Sequence, residues 1–394
     1  MRLRNLESAL EGRGIRLALV QHMVDLYYLT GTIQPGFLAV APDHEPVFFV
    51  RKAVERARTE ALPGLEIRSL GSPKELPLAL VEAGFAPSPG ILGLELDVLP
   101  YLTVESTKRL FPGAQVSDVG GLLRSLRQVK DEAELAAMRG AGLVWQATME
   151  AIRTSFRPGM DEFDLALAAE EAARRAGHQG LVRTRALDFE IFLGHLLTGP
   201  HGAVPTRFDG PTGGPGVHPS TGQGAGHRRI LRDEPILADY ASAKDGYIYD
   251  GTRTFVWGTL SPKLADAYRI TQEIHHLFRR EALPGRLVGD VVAKTFEIAR
   301  SHGLEEHFMG YGPDRVRFLG HGVGLELDEL PVLLASSQTV FEANMTVAVE
   351  PKFVFPGKGA VGLEVTYRIT PEGPEALVSS SEDVTAVMPS GGEA

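Results

Sequence analysis

Four carboxylates set inside apolar, strand-like runs constrain this chain more than any other feature of its sequence. Ile236-Leu-Ala-Asp-Tyr-Ala241 and Tyr247-Ile-Tyr-Asp-Gly-Thr-Arg-Thr-Phe-Val256 carry Asp239 and Asp250. Met345-Thr-Val-Ala-Val-Glu350 and Val361-Gly-Leu-Glu-Val-Thr-Tyr-Arg-Ile369 carry Glu350 and Glu364. Each pair of runs flanks a turn, at Lys244-Asp245-Gly246 and near Gly357, and so reads as a hairpin. With the first turn centred between residues 244 and 245, Asp239 falls opposite Asp250; around Gly357, Glu350 falls opposite Glu364. Opposed residues in such a pair have Cβ atoms about 4.5–5.5 Å apart, and like charges there repel. One such pair is equally well explained as an edge-strand acid or a salt bridge to Arg253 or Arg368. Two apolar hairpins, each burying an acid pair, call for a cation.

Gly320-His-Gly-Val-Gly324 offers a fifth ligand in His321, whose flanking glycines allow close approach to an ion. A lone histidine is more often a satisfied core residue, so it counts only beside the carboxylates. Four carboxylates and one imidazole suit a pair of hard divalent ions such as manganese better than a structural zinc. Two metals about 3.5–4 Å apart can hold a bridging hydroxide and polarise a carbonyl.

The 394 residues suggest two or three domains. A net charge of −10 without any basic block argues against nucleic acid or an anionic membrane as partner. No apolar run approaches the ~18 residues of a spanning helix, and the opening Met1-Arg-Leu-Arg-Asn-Leu-Glu7 lacks the apolar core of a signal peptide. The absence of cysteine excludes disulfides, a thiol nucleophile and a thiolate metal site. The expected compartment is the cytoplasm.

Residues 1–125 alternate strand runs (Leu17–Val20, Phe37–Val40, Val47–Val50) with helical patterns, as an α/β domain does; Pro42–Pro46 reads as the turn joining the last two strands. The charged stretch Arg124–Glu134 predicts a long helix running to about Arg153, with the domain boundary just before it. Beyond it lies a faint repeat. Arg157-Pro-Gly and Leu283-Pro-Gly each lead a helical pattern that closes on a glycine, Gly177 and Gly303, and a long helix precedes each copy. This implies a duplicated helix–helix–hairpin unit with a cleft where the two halves meet. The Gly- and Pro-rich stretch from Pro200 to Gly226 has no phosphate-loop lysine and reads as a connector, or as a mobile loop near a site.

The ordered set of Asp239, Asp250 in Tyr-Asp-Gly-Thr-Arg-Thr, His321 in Gly-His-Gly-Val-Gly, Glu350 in Val-Glu-Pro, and Glu364 closely resembles the pita-bread metallopeptidases. That group includes prolidase, Xaa-Pro aminopeptidase and methionine aminopeptidase, with creatinase as a metal-free relative. The resemblance covers about residues 130–375. The N-terminal part, including Tyr28-Leu-Thr-Gly31, resembles the creatinase-type domain of prolidases and Xaa-Pro aminopeptidases, which disfavours methionine aminopeptidase. The resemblance implies an α/β N-terminal domain over 1–125 and an α+β pita-bread catalytic domain over 126–394, with pseudo-twofold duplicated helix–hairpin units. It implies two divalent ions (manganese, with cobalt or zinc as alternatives), short peptide substrates cut at Xaa-Pro bonds, a homodimer, and Glu350 as proton shuttle beside His321.

The departures matter equally. Arg317 and Asp328 stand where the family usually has histidines, four residues before His321 and seven after it. His218, with His201 as competitor, is the candidate for a third outer histidine, and Gly362 replaces an arginine often found two residues before the final glutamate. The expectation is that His218, Arg317 and Asp328 contact substrate. Two rivals remain: a hydrolase of the same fold acting on a non-peptide amide or cyclic amidine, and a peptidase-like binding protein without turnover.

Overall fold

The structure is a computed structural model that describes residues 1–387; the last seven residues of the expected catalytic domain lie outside the described residues. The chain divides into two compact units, Met1–Arg127 and Gln128 onward.

The first unit is built on a six-stranded sheet of Leu17–Val20 (β1), Gly36–Ala41 (β2), His44–Val50 (β3), Glu66–Ser69 (β4), Ile91–Leu94 (β5) and Gln115–Asp118 (β6), in the order β4-β3-β2-β1-β5-β6. The β1–β2–β3 pairings are antiparallel and the outer ones parallel. β1 and β2 are buried along their whole length, as their continuous apolar runs require. The β2–β3 turn is shorter than Pro42–Pro46, because β3 already begins at His44. Gly31 ends the helix Met23–Thr30 in the left-handed conformation (φ 83°), which explains the glycine of Tyr28-Leu-Thr-Gly.

The charged stretch at the boundary is not one helix. Arg124 belongs to the end of Gly120–Leu126, and a new helix, Glu132–Ser155, starts at Asp131. Asp131 and Glu134 form a reciprocal capping box, a local start signal inside the charge-rich stretch.

In the second unit the repeat takes physical form. Glu132–Ser155 precedes Glu162–Arg175, and Pro262–Glu281 precedes Val288–Ser301; both second helices have 14 residues. Gly177 and Gly303 follow them with positive φ. One helix pair leads to a four-stranded sheet of Gly194–Thr198 (β7), Pro235–Lys244 (β8), Tyr247–Val256 (β9) and, at the far end of the chain, Thr385–Ala386. The other leads to Phe318–Gly322 (β10), Glu329–Leu334 (β11), Thr346–Val349 (β12) and Val365–Arg368 (β15), with the separate ribbon Lys352–Phe355 (β13) and Gly359–Gly362 (β14) inserted between the last two.

Against this second half packs a core that includes Phe278, Phe341, Val347, Phe353 and Tyr367. A titratable group, His275, lies against it. His275, fully buried, donates from Nε2 to the Leu363 carbonyl at 3.0 Å and accepts at Nδ1 from the Tyr367 hydroxyl at 2.9 Å. Burial pushes its pKa down to about 4. Unfolded, the same imidazole takes a proton below about 6.5. Between those values the unfolded chain holds more protons, so the contribution of His275 is complete above pH 6.5 and is lost as pH falls through 4. At ~1.4 kcal/mol per pKa unit the part lost by pH 4.5 is on the order of 2–3 kcal/mol. Denaturant unfolding at pH 7.5 and pH 4.5 should show a drop in wild type that shrinks by about this amount in His275→Gln, whose amide keeps the bond to Leu363. An unchanged pH slope in the variant rejects the assignment.

Candidate metal centre

The β8–β9 hairpin turns through Asp245 and Gly246, both with positive φ, and Lys244 pairs with Tyr247. The turn centre thus lies one residue beyond the sequence expectation. Asp239 consequently pairs with Thr252, and Asp250 with Ala241, so the two aspartates are diagonal neighbours and not direct partners. Because a shift of two residues preserves the face, both still point the same way. The second register is as read: Val349 pairs with Val365 and Lys352 with Gly362. Glu350 and Glu364 occupy the seam between these two ladders, where Pro351 interrupts pairing.

The two hairpins bring their acids together with His321 of β10. Ligand atoms of Asp250, His321 and Glu364 lie within 4.8 Å of one another, a fit for one metal ion. His321 Nε2 is 3.8 Å from both Asp250 Oδ2 and Glu350 Oε1. Its Nδ1 donates to the Gly322 carbonyl at 3.1 Å, which leaves Nε2 as the ligand atom. Thr252 Oγ1 donates to Glu364 Oε2 at 2.6 Å and fixes that carboxylate. The glycines around His321 serve the sheet more than the ion: a Cβ on Gly320 would sit 1.9 Å from the Ala348 carbonyl oxygen.

The cation beside these acids is neither Arg253 nor Arg368. Arg253 donates to the backbone carbonyls of Thr252, Glu364 and Ser381 and lies over the Trp145 ring; Arg368 reaches Asn344 and Glu132. It is Lys352, whose Nζ lies 2.6 Å from Glu350 Oε2, 3.1 Å from Asp239 Oδ2 and 3.4 Å from Glu364 Oε2. Its neighbours feel it unequally. Burial disfavours charge on Asp239, but Lys352 and then His195 outweigh it and hold that carboxyl well below its usual range. Burial, then Glu364 and Asp239, push Asp250 well up. Burial also raises Glu364 to about 7, with Lys352 opposing and Asp239 and Glu350 reinforcing. His321 is raised too: burial works against its charge, but Asp328, Glu350 and Glu364 prevail.

Asp239, Asp250, His321, Glu350 and Glu364 line a cavity of about 460 Å³, walled by apolar side chains that include Phe189, Leu193, Phe208 and Phe318. Asp328 lines it. Arg317 does not. A β-bulge between Phe318 and His321 breaks the two-residue alternation, so Phe318 faces the cavity while the exposed Arg317 lines a different depression beside Glu305 and Phe308. His218 is an exposed loop residue bonded to Ser220, and His201 is tied to Glu162, so neither lines the cavity. Besides His321, His195 of β7 does. It is the direct cross-strand partner of Asp239, with Nε2 3.4 Å from Oδ2. Sequence reasoning passed over it, although it sits alone in the apolar run Phe192–Thr198. Arg207 also lines the cavity, on the Gly- and Pro-rich stretch. That stretch is anchored by buried Glu162, which accepts from Thr198 N and Oγ1, His201 Nδ1 and Gly226 N.

A duplicated helix–hairpin fold with acids and one histidine converging between its halves defines a metal-dependent hydrolase class. Residues 136–371 match metallopeptidase family M24, and residues 2–129 match the creatinase/prolidase N-terminal domain; the chain belongs to family M24. It is 24% identical over 386 residues to a Xaa-Pro dipeptidase of Pyrococcus furiosus, covering 97% of this chain and 99% of that one. Among solved structures it is similar to a Xaa-Pro dipeptidase from Bacillus anthracis (25% identity, TM-score 0.81, 98% and 99% of the two chains). It also shares its fold with an X-Pro aminopeptidase from Thermotoga maritima (20% identity, TM-score 0.78, 98% and 99%).

Raised carboxyl pKa values at Asp250 and Glu364 mean that the metal-free site holds protons near neutrality. A divalent ion must displace them, so apparent affinity should rise with pH through about 7 and level off above the pKa values of these acids. Calorimetric titration of metal-free protein at pH 6.5, in two buffers of different ionisation enthalpy, should show proton release on metal binding. Buffer-independent heats contradict this.

Proposed function

We propose that the chain is a metal-dependent peptidase that hydrolyses short peptides at Xaa-Pro bonds, as a dipeptidase or an aminopeptidase. The convergence of Asp250, His321, Glu350 and Glu364 on one apolar-walled cavity carries this reading. The names of its relatives supply the proline preference. A carboxylate-rich donor set with one imidazole supports manganese as the ion. An acidic, cysteine-free composition supports a cytoplasmic setting, and family resemblance a homodimer. No helix among the described residues is long and apolar enough to cross a membrane.

A divalent ion held by Asp250, His321 and Glu364, when bound, supplies Lewis acidity toward the scissile carbonyl and acidifies water. The protein's own groups then divide the work. Lys352 engages Glu350 Oε2, leaving Oε1, on the His321 side, as the atom that accepts a proton from the attacking water and returns it to the leaving amine. The apolar walls receive the proline ring and exclude water. Asp328 and Arg207, both on the cavity, match the ammonium and the free carboxylate of a dipeptide.

A panel of Xaa-Pro dipeptides, longer Xaa-Pro peptides, non-proline dipeptides and a non-peptide amide should show turnover of the Xaa-Pro members, abolished by chelation. Glu350→Gln should lower kcat by roughly 10²-fold or more with the metal still bound; full turnover rejects the proton-shuttle role. Arg207→Ala should reduce kcat/KM about tenfold on free acids, the scale of one charge-assisted contact, and leave amidated analogues nearly unchanged. Equal losses on both remove Arg207 from substrate recognition.

A further inference from the structure

Lys352 is the residue in this site that a two-ion centre does not explain. Its side chain is 1% exposed, and its ammonium is enclosed by the acids instead of reaching solvent. An ammonium has three N–H donors and no acceptor. Lys352 has three carboxylate partners, one each from Asp239, Glu350 and Glu364. Its position divides the five expected ligands. Asp250, His321 and Glu364 keep ligand atoms within 4.8 Å of one another, whereas Asp239 is taken up by Lys352 on one side and His195 on the other.

Gly362 is an independent observation that the fold is arranged around this lysine. Lys352 and Gly362 are direct partners in the β13–β14 ribbon. A Cβ on Gly362 would lie 2.5 Å from Lys352 Cγ and 3.3 Å from its Cβ. Only a residue without a side chain lets the lysine stem lie across the opposite strand and carry Nζ into the acid cluster. The arginine common at this position in the family could not coexist with that stem.

We propose that the Lys352 ammonium is a built-in cation standing in place of the second metal ion, so that this chain binds one divalent ion, at Asp250, His321 and Glu364. The inference rests on the metal-dependent reading above. A second divalent ion beside Asp239 would have to share three carboxylates with a buried ammonium that it repels. Lys352 keeps the acid cluster compensated and holds Glu350 Oε2 in place; unlike a metal, it cannot coordinate a water molecule or a carbonyl.

The test is metal stoichiometry, read without any activity assay. Metal-free protein is loaded with excess manganese, desalted and analysed for manganese per chain, and its electron paramagnetic resonance spectrum is recorded. Wild type should retain one ion, with the six-line spectrum of an isolated manganese. Lys352→Ala should retain two, with the broadened pattern of an exchange-coupled pair. Two ions in wild type, or one in a folded Lys352→Ala, overturn the inference while leaving the metal-dependent reading intact. No retained ion in wild type overturns both. If Lys352→Ala does not fold, the wild-type ratio and spectrum decide alone.

Discussion

Charge compensation in a buried acid cluster is the constraint on which the rest of this structure depends. Asp250, Glu350 and Glu364 are almost fully enclosed, and Asp239 is mostly so. Taking several carboxylates out of water is tolerable only when hydrogen bonds and cations replace the lost solvation. The surrounding elements can be read as the means of doing this. Thr252 holds Glu364, His195 approaches Asp239 from the neighbouring strand, and Lys352 reaches three acids at once. Even Arg253 contributes indirectly, bonding the Thr252 and Glu364 carbonyls and so tying the two hairpins together.

The seam between β12 and β13 is where this constraint meets the fold. The same register runs through both ladders, β12 with β15 and β13 with β14, so the break at Pro351 leaves the alignment intact. It removes ladder hydrogen bonds at the two positions where side chains must turn toward an ion. His275 closes the same seam from behind by accepting the role of donor to the Leu363 carbonyl, next to Glu364. A buried neutral imidazole in the core is therefore mechanically connected to the acid cluster.

Much of the centre was legible because strand faces depend on parity. Misplacing the β8–β9 turn by one residue shifted the expected partner of Asp239 by two, which altered the contact and kept the face. The place of Arg317, carried over from the family's spacing, was not legible in this way, since a bulge changes parity and leaves no simple mark in a single sequence. His218 sits on a loop whose path is set by Glu162 and Thr198, contacts distant in sequence. The helix break before Glu132 was masked by the charge-rich, helix-like stretch around it, although its capping box was present to be read. Lys352 had a signal too: a lysine in Val349-Glu-Pro-Lys-Phe-Val-Phe355, opposite a glycine, stands in a run with no solvent-facing character.

The contact between Lys352 and Gly362 also orders the substitutions by which such a site could change. Starting from this chain, a larger residue at 362 collides with the lysine stem at once, whereas loss of the lysine leaves only unfilled space and uncompensated acids. The accessible route therefore begins at position 352 and reaches position 362 second. In the opposite direction the glycine must come first. The two positions behave as a ratchet in sequence space, in which the history of one strand limits what its partner may next become.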